Sequence, residues 1–177
     1  MRVRWLIPAG ACMAAVAPAA YATQYLSVEQ AQYAAFPQAG AFVPVAAPDA
    51  ATASALDAPP GWAPRIFAAR GADAATLGWL IVDQVLGKSE MITYATALDA
   101  RGAVLSVEVL EYREAHGGEI RMAAWRRQFV GKTQSDAAAL GRDIKNISGA
   151  TLSCRHLTEG VQRVLRLHDF LLAARTG

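Results

Sequence analysis

The hydrophobic pattern changes its period part-way along the chain, and that change restricts the fold more than any other feature. From Gly78, the run Trp79-Leu80-Ile81-Val82 carries aromatic and β-branched residues and reads as a buried strand ending near Val85. Gly87-Lys88 turns the chain, residues 91–98 form a second strand, and Asp99-Ala100-Arg101-Gly102 makes a tight connection. Leu105, Val107 and Val109 then alternate with Ser106 and Glu108. These segments predict an antiparallel meander with one wetter face. Beyond Gly117-Gly118 the spacing lengthens: Met122, Trp125 and Phe129 recur at helical intervals until Gly131-Lys132 ends the element. A last helix is expected over about residues 151–173, with Leu157, Val161, Val164, Leu165 and Leu171 as its apolar stripe. Strands followed by segregated helices imply an α+β architecture, an antiparallel sheet packed with helices, rather than alternating βαβ units.

The first part of the chain is less informative. Ser27-Val28-Glu29-Gln30 has the form of a capping box and opens a short helix through about Phe36, where Pro37 stops it. Residues 39–64 are rich in Ala, Pro and Asp and support only a helical turn or two between Asp49 and Leu56. Arg2 and Arg4 precede an apolar, alanine-rich stretch that ends in Ala20-Tyr21-Ala22, the pattern of a secretory signal with an A-x-A cleavage site. The apolar run is 16 residues long and broken by Pro8 and Pro18, short for a membrane span. Cys12, after Ala9-Gly10-Ala11, only faintly resembles a lipid-attachment box. The expected organisation is a signal peptide over 1–22, an N-terminal helix and Ala/Pro-rich segment over 23–77, and the main domain over 78–177. Cleavage near Ala22 implies a periplasmic or other extracytoplasmic location. It also removes two arginines and no acid, leaving 15 Lys+Arg against 15 Asp+Glu, which offers no electrostatic case for nucleic acid. Cys154 is then the single cysteine, so no internal disulfide can form.

The segment with the most chemistry is Asp143-Ile144-Lys145-Asn146-Ile147-Ser148-Gly149-Ala150-Thr151-Leu152-Ser153, immediately before the last helix. A helix start leaves up to four backbone N–H donors without intrahelical partners, and its dipole favours negative charge by roughly 0.3–1 kcal/mol. Gly149 and Ala150 let the backbone approach a phosphate, while the hydroxyls of Ser148, Thr151 and Ser153 can donate to it or, in one case, become esterified. The plainer alternative is Ser148 or Thr151 as an ordinary N-cap, contributing on the order of 1 kcal/mol.

The string Ser148-Gly149-Ala150-Thr151-Leu152-Ser153 resembles the signature of the FMN-binding domain family, which includes the flavin subunits of sodium-translocating NADH:quinone reductases and of Rnf-type complexes. The likeness extends over roughly residues 78–172. Glu114-Ala115-His116-Gly117-Gly118-Glu119 is similar to the family's glutamate-glycine turn, and Gln128-Phe129-Val130-Gly131-Lys132 to its Q-F-x-G-K element. The resemblance implies an FMN cofactor, and a flavin transferase that links its phosphate to Thr151. One position departs: three residues before Ser148 the signature usually carries an acid, and here stands Lys145, with Asp143 two residues further off. That substitution leaves non-covalent FMN binding open.

Each remaining candidate has two readings. Gly117 and Gly118 bring amides to the isoalloxazine edge, or simply make a turn. Trp125 and Phe129 form an aromatic wall for the flavin, or an i,i+4 core stripe, and core is favoured for at least one. Lys132 meets the flavin phosphate, or serves a helix C-terminus. Glu114 and His116 exchange protons with the cofactor, or are surface loop residues. The histidines show no metal-ligand spacing, and no G-x-G-x-x-G follows a strand. The expected function is an exported electron carrier served by membrane-bound or soluble redox partners, with peripheral membrane association compatible with that role, rather than a stand-alone enzyme. The alternative is a non-covalent flavin-binding or cofactor-free sensory or assembly module beside a membrane redox system.

Overall fold

The computed structural model describes residues 23–114 and 116–173; the expected leader, with Cys12 and the cleavage point at Ala22, lies outside them. The strands are Thr23–Gln24 (β1), Ala41–Val45 (β2), Arg65–Arg70 (β3), Thr76–Leu86 (β4), Met91–Asp99 (β5) and Val104–Tyr112 (β6). They build one antiparallel sheet in the order β1-β6-β5-β4-β3-β2. The helices are Val28–Ala35 (α1), Ala50–Ala55 (α2), Ala123–Arg126 (α3) and Thr151–Ala173 (α4). The architecture is α+β. Residues 23–77 supply three strands to the same sheet, and Gly78, where the main domain was expected to begin, lies inside β4.

α1 starts as its sequence requires: Ser27 Oγ accepts from Gln30 N, and Gln30 Oε1 accepts from Ser27 N. Alternation along the strands then separates two cores. Trp79 and Ile81 of β4 join Tyr94, Leu98, Val107 and the α4 stripe on one face. Leu80 and Val82 join Ala95, Ala97, Ala31 of α1 and Phe36 at its C-cap on the other. The face expected to be wet is therefore covered. The small side chains of Ala69, Ala95 and Ala97 let α1 settle close to the sheet, so burial on that side comes from an element placed far upstream.

β6 also departs from simple alternation. Its register against β5 shifts twice, between Ala97 and Leu98 and between Thr93 and Tyr94. Leu105 falls at the first irregularity and is 40 % exposed, contrary to its expected inward position. The second sends Leu110 to the α1 core while Val109 and Tyr112 face α4.

Near the C-terminal end of α4, His168 is buried, its ring edge-on to Trp79 at 5.0 Å. Its Nε2 has no hydrogen-bond partner among the described residues. Burial holds its pKa below the usual 6.5, outweighing the nearby Asp169 and Asp99. The unfolded chain therefore binds this proton more readily than the folded one, and stability falls as pH drops below about 6.5 until the folded pKa is passed. Thermal melts near neutrality and at about pH 5 should show a loss that His168→Gln diminishes. Equal pH slopes in both proteins would contradict this.

Candidate functional site

The site begins at the turn between β4 and β5. Gly87 N donates to Glu90 O, and the turn is pinned from outside by Glu114, just beyond β6. The Glu114 carboxylate accepts from Ser89 N at 2.6 Å, Glu90 N at 3.0 Å and Ser89 Oγ at 3.1 Å. Partial burial raises the Glu114 pKa, but these donors outweigh it and hold the group below its ordinary value. Two residues earlier, Tyr112 Oη donates to the His116 carbonyl at 2.5 Å and closes the next turn.

Gly117 follows at φ +81°, a conformation that glycine adopts without strain. A Cβ there would lie 2.9 Å from Tyr112 Oη and 3.3 Å from Ala150 Cβ. The glycine turn thus lies directly against the start of α4. Cys154 N donates to the Ala150 carbonyl, so Ala150 occupies the cap position and Thr151 is the first helical residue. Alanine has no side-chain acceptor for the first-turn N–H groups, so neither Ser148 nor Thr151 plays the ordinary N-cap role. Gly149 enters at φ +86°. Thr151 and Leu152 are exposed, whereas Ala150, Ser153 and Cys154 are buried. Burial raises the Cys154 thiol pKa, consistent with a packing role.

Two adjoining clefts meet here, sharing Glu114, His116 and Gly149. One, of about 540 Å³, runs between the β4–β5 turn and the start of α4, with Thr151, Lys88 and Arg113 on its walls. The other, of about 570 Å³, lies over Gly117 and Gly118, with Tyr25, Tyr112 and Arg121 beside them. Arg121 stacks on Tyr25 at 4.3 Å from the ring centroid. Both volumes are in the range of small-molecule sites.

The other sequence candidates lie elsewhere. Trp125 and Phe129 are both buried in the core, edge-to-face at 5.4 Å. Their segment anchors the approach to the site. Trp125 Nε1 donates to the Lys145 carbonyl at 2.6 Å, and Lys145 N donates to Gln128 Oε1 at 2.8 Å. Lys132 pairs with Asp143 at 2.6 Å, and Asp143 Oδ1 accepts from Ala139 N. Lys132 and Gly131 line neither cleft, and Gly131 instead donates its N–H to the Val104 carbonyl. Ser148 is exposed but lines neither cleft. Ala115 is outside the described residues.

Several neighbours were not singled out by sequence. Asn146 Nδ2 donates to Thr151 Oγ1 at 3.0 Å and orients the hydroxyl. Lys88, in the β4–β5 turn, and Arg113, just after β6, bring positive charge to the Thr151 cleft. An exposed hydroxyl, cations and a glycine-lined approach together suit a phosphate ester of an organic molecule.

Residues 87–166 match the family model of the FMN-binding domain. This segment is an FMN-binding domain. It makes the chain a flavin-binding protein, and the match runs from the β4–β5 turn into α4, spanning the glutamate-glycine turn and the Ser148-Gly149-Ala150-Thr151 string. Strands β1 to β4 lie outside it while completing the domain's sheet. No curated protein matches the chain.

Within the FMN-binding domain, the residues present fit FMN. Lys88, Arg113 and the first-turn N–H groups suit the phosphate, and the adjoining cleft has room for an aromatic ring against the glycine turn. If FMN is esterified to the Thr151 hydroxyl that Asn146 orients, Asn146→Ala should slow that attachment several-fold while leaving its final site unchanged. A time course of intact mass with a flavin transferase checks this, and an unchanged rate would contradict it.

Proposed function

We propose that the protein is an exported electron carrier whose FMN is esterified through its phosphate to Thr151. The observation that carries this reading is the exposed Thr151 hydroxyl at the start of α4, oriented by Asn146 and facing a cleft with Lys88 and Arg113. Ester formation replaces the hydroxyl hydrogen with the FMN phosphoryl group, so the protein gains one FMN less one water. Bound flavin supplies one- and two-electron redox chemistry. The chain's own residues would hold the phosphate, stack or hydrogen-bond the ring and limit its exposure. Redox partners, membrane-bound or soluble, would provide and remove the electrons. Export rests on the Arg2/Arg4 leader and Ala20-Tyr21-Ala22, and an ester would retain the cofactor outside the cytoplasm. Peripheral membrane association is compatible with this role.

The test is intact mass after co-expression with a flavin transferase, followed by denaturing gel filtration. The proposal requires the mass increment and colour that stays with the denatured chain. Lys145, exposed at the position where the family signature usually carries an acid, favours a second reading: FMN bound without an ester, or a cofactor-free assembly module. Yellow native protein that loses colour on denaturation would support the non-covalent form. Colourless protein that fails to bind added FMN would support the module.

A further inference from the structure

A third cavity, of about 730 Å³, is larger than either flavin cleft and shares no lining residue with them. It opens between residues 59–65, β4 and the face of α4 that carries His156, Glu159 and Arg163. The 59–65 segment and Asp83 lie outside the matched residues 87–166.

Arg163 carries the argument. Its side chain is 12 % exposed, and its guanidinium carbon stands 5.7 Å from the Trp62 ring centroid. Nε and Nη1 are buried and have no hydrogen-bond acceptor among the described residues. The neighbouring carboxylate does not supply one: Asp83 Oδ2 lies 3.8 Å from Nη1. Asp83 is already engaged, with Oδ1 accepting from Trp62 Nε1 at 2.9 Å and Gln84 N at 2.8 Å, and Oδ2 accepting from Tyr94 Oη at 2.9 Å. A buried charged donor left without an acceptor is costly, and a ligand carboxylate with a modest shift of the guanidinium would relieve that cost.

Charge narrows the ligand. Arg163 and the exposed Arg65 are opposed by buried Asp83 and exposed Glu159, so a monoanion is matched better than a phosphate dianion, which would face both carboxylates. Shape narrows it further. Trp62 offers a half-buried ring, and Leu86 and Met91, paired across the β4–β5 hairpin, are 50 % and 42 % exposed on the cavity wall. We propose that this cavity binds a small aromatic carboxylate, its carboxylate on Arg163 and its ring against Trp62 and the Leu86/Met91 wall. The proposal is independent of the flavin reading, because the sites have no residue in common.

The experiment follows the Trp62 indole N–H resonance of the full chain during titration with benzoate, with benzyl alcohol and inorganic phosphate as controls. Benzoate should shift it saturably, with benzyl alcohol and phosphate each at least ~tenfold weaker. Arg163→Gln should abolish the effect. Because Arg163 neighbours buried Asp83, the exposed pair supplies a second arm: Arg65→Gln should weaken binding and Glu159→Gln should tighten it, each by a few-fold. FMN-loaded and FMN-free protein should respond alike. No saturable benzoate shift, an equal response to benzyl alcohol or to phosphate, indifference to both rim variants, or loss of the response on flavin loading would each overturn the proposal.

Discussion

Thr151→Ala, produced with a flavin transferase, is expected to show no mass increment, whereas Ser148→Ala and Ser153→Ala keep it. Thr151 is the first residue of α4, exposed, on the wall of the cleft that also holds Lys88 and Arg113, and its Oγ1 accepts from Asn146. Ser153, two residues further along α4, lines that cleft too but is only 4 % exposed, and Ser148 lines neither cleft. The hydroxyls therefore differ in access although they are close in sequence. Removing Oγ1 deletes the ester oxygen but leaves the amides, both cations and the cleft intact. The variant should still fold and should retain reversible FMN binding. A full increment on Thr151→Ala would place the bond elsewhere, and its disappearance from Ser148→Ala alone would move it to the neighbouring residue.

Gly78→Val is expected to produce the largest loss of stability. Gly78 pairs with Asp99 in β4–β5 and also with Ala69 across β3, so its strand has no freedom to withdraw. A Cβ built there overlaps the Leu98 carbonyl oxygen and lies 2.8 Å from Phe36 Cε1. Phe36 is 1 % exposed and anchors α1 to the sheet. The collision therefore displaces both a ladder carbonyl and the ring that seals the second core. Overpacking of this kind costs on the order of 3 kcal/mol, a large share of the roughly 5–15 kcal/mol that holds a domain together. The melting temperature should fall by about 6–12 °C at 2–4 °C per kcal/mol. A shift under about 2 °C would mean that α1 does not depend on this close approach.

The parts of the fold that sequence made legible are those where one pattern dominates. β4 to β6 announce themselves by β-branched and aromatic runs bounded by Gly87-Lys88 and Asp99-Ala100-Arg101-Gly102. α4 has a stripe of five buried residues, and α1 has a capping box. β2 and β3 were not legible. Pro44 argues against a strand, yet β2 is an edge of the sheet, where a missing N–H is tolerated. Four of the six residues of β3 are alanine or arginine, and its pairing with β4 decides its form. The covered second face and the outward Leu105 depend on α1 docking and on a register shift, which no local period records.

At the site, the string around Thr151 was legible through its resemblance to the family signature, because a helix start preceded by Gly149 is by itself equally served by an ordinary N-cap. Lys88 and Arg113 were not, because the sheet brings them to Thr151 from more than 35 residues away in sequence. Asn146 lay inside the quoted segment, but only the geometry of the turn aims its amide at Thr151. Phe129 and Lys132 were recognisable as part of a motif and Trp125 as the aromatic partner of Phe129, while their contacts reveal how they work. Trp125 and Phe129 fill the core, and the Trp125 hydrogen bond to Lys145 and the Lys132–Asp143 ion pair hold the segment before α4.

The most direct measurement is a tryptic map of the flavin-loaded protein with fragmentation of its yellow peptide. Cleavage after Lys145 and Arg155 releases residues 146–155, which contain Thr151 but none of the cleft residues from the sheet. The FMN phosphoryl mass should lie on this peptide, with fragment ions placing it at Thr151. Flavin on another peptide, or a chain that takes up no flavin in either covalent or reversible form, would contradict the account.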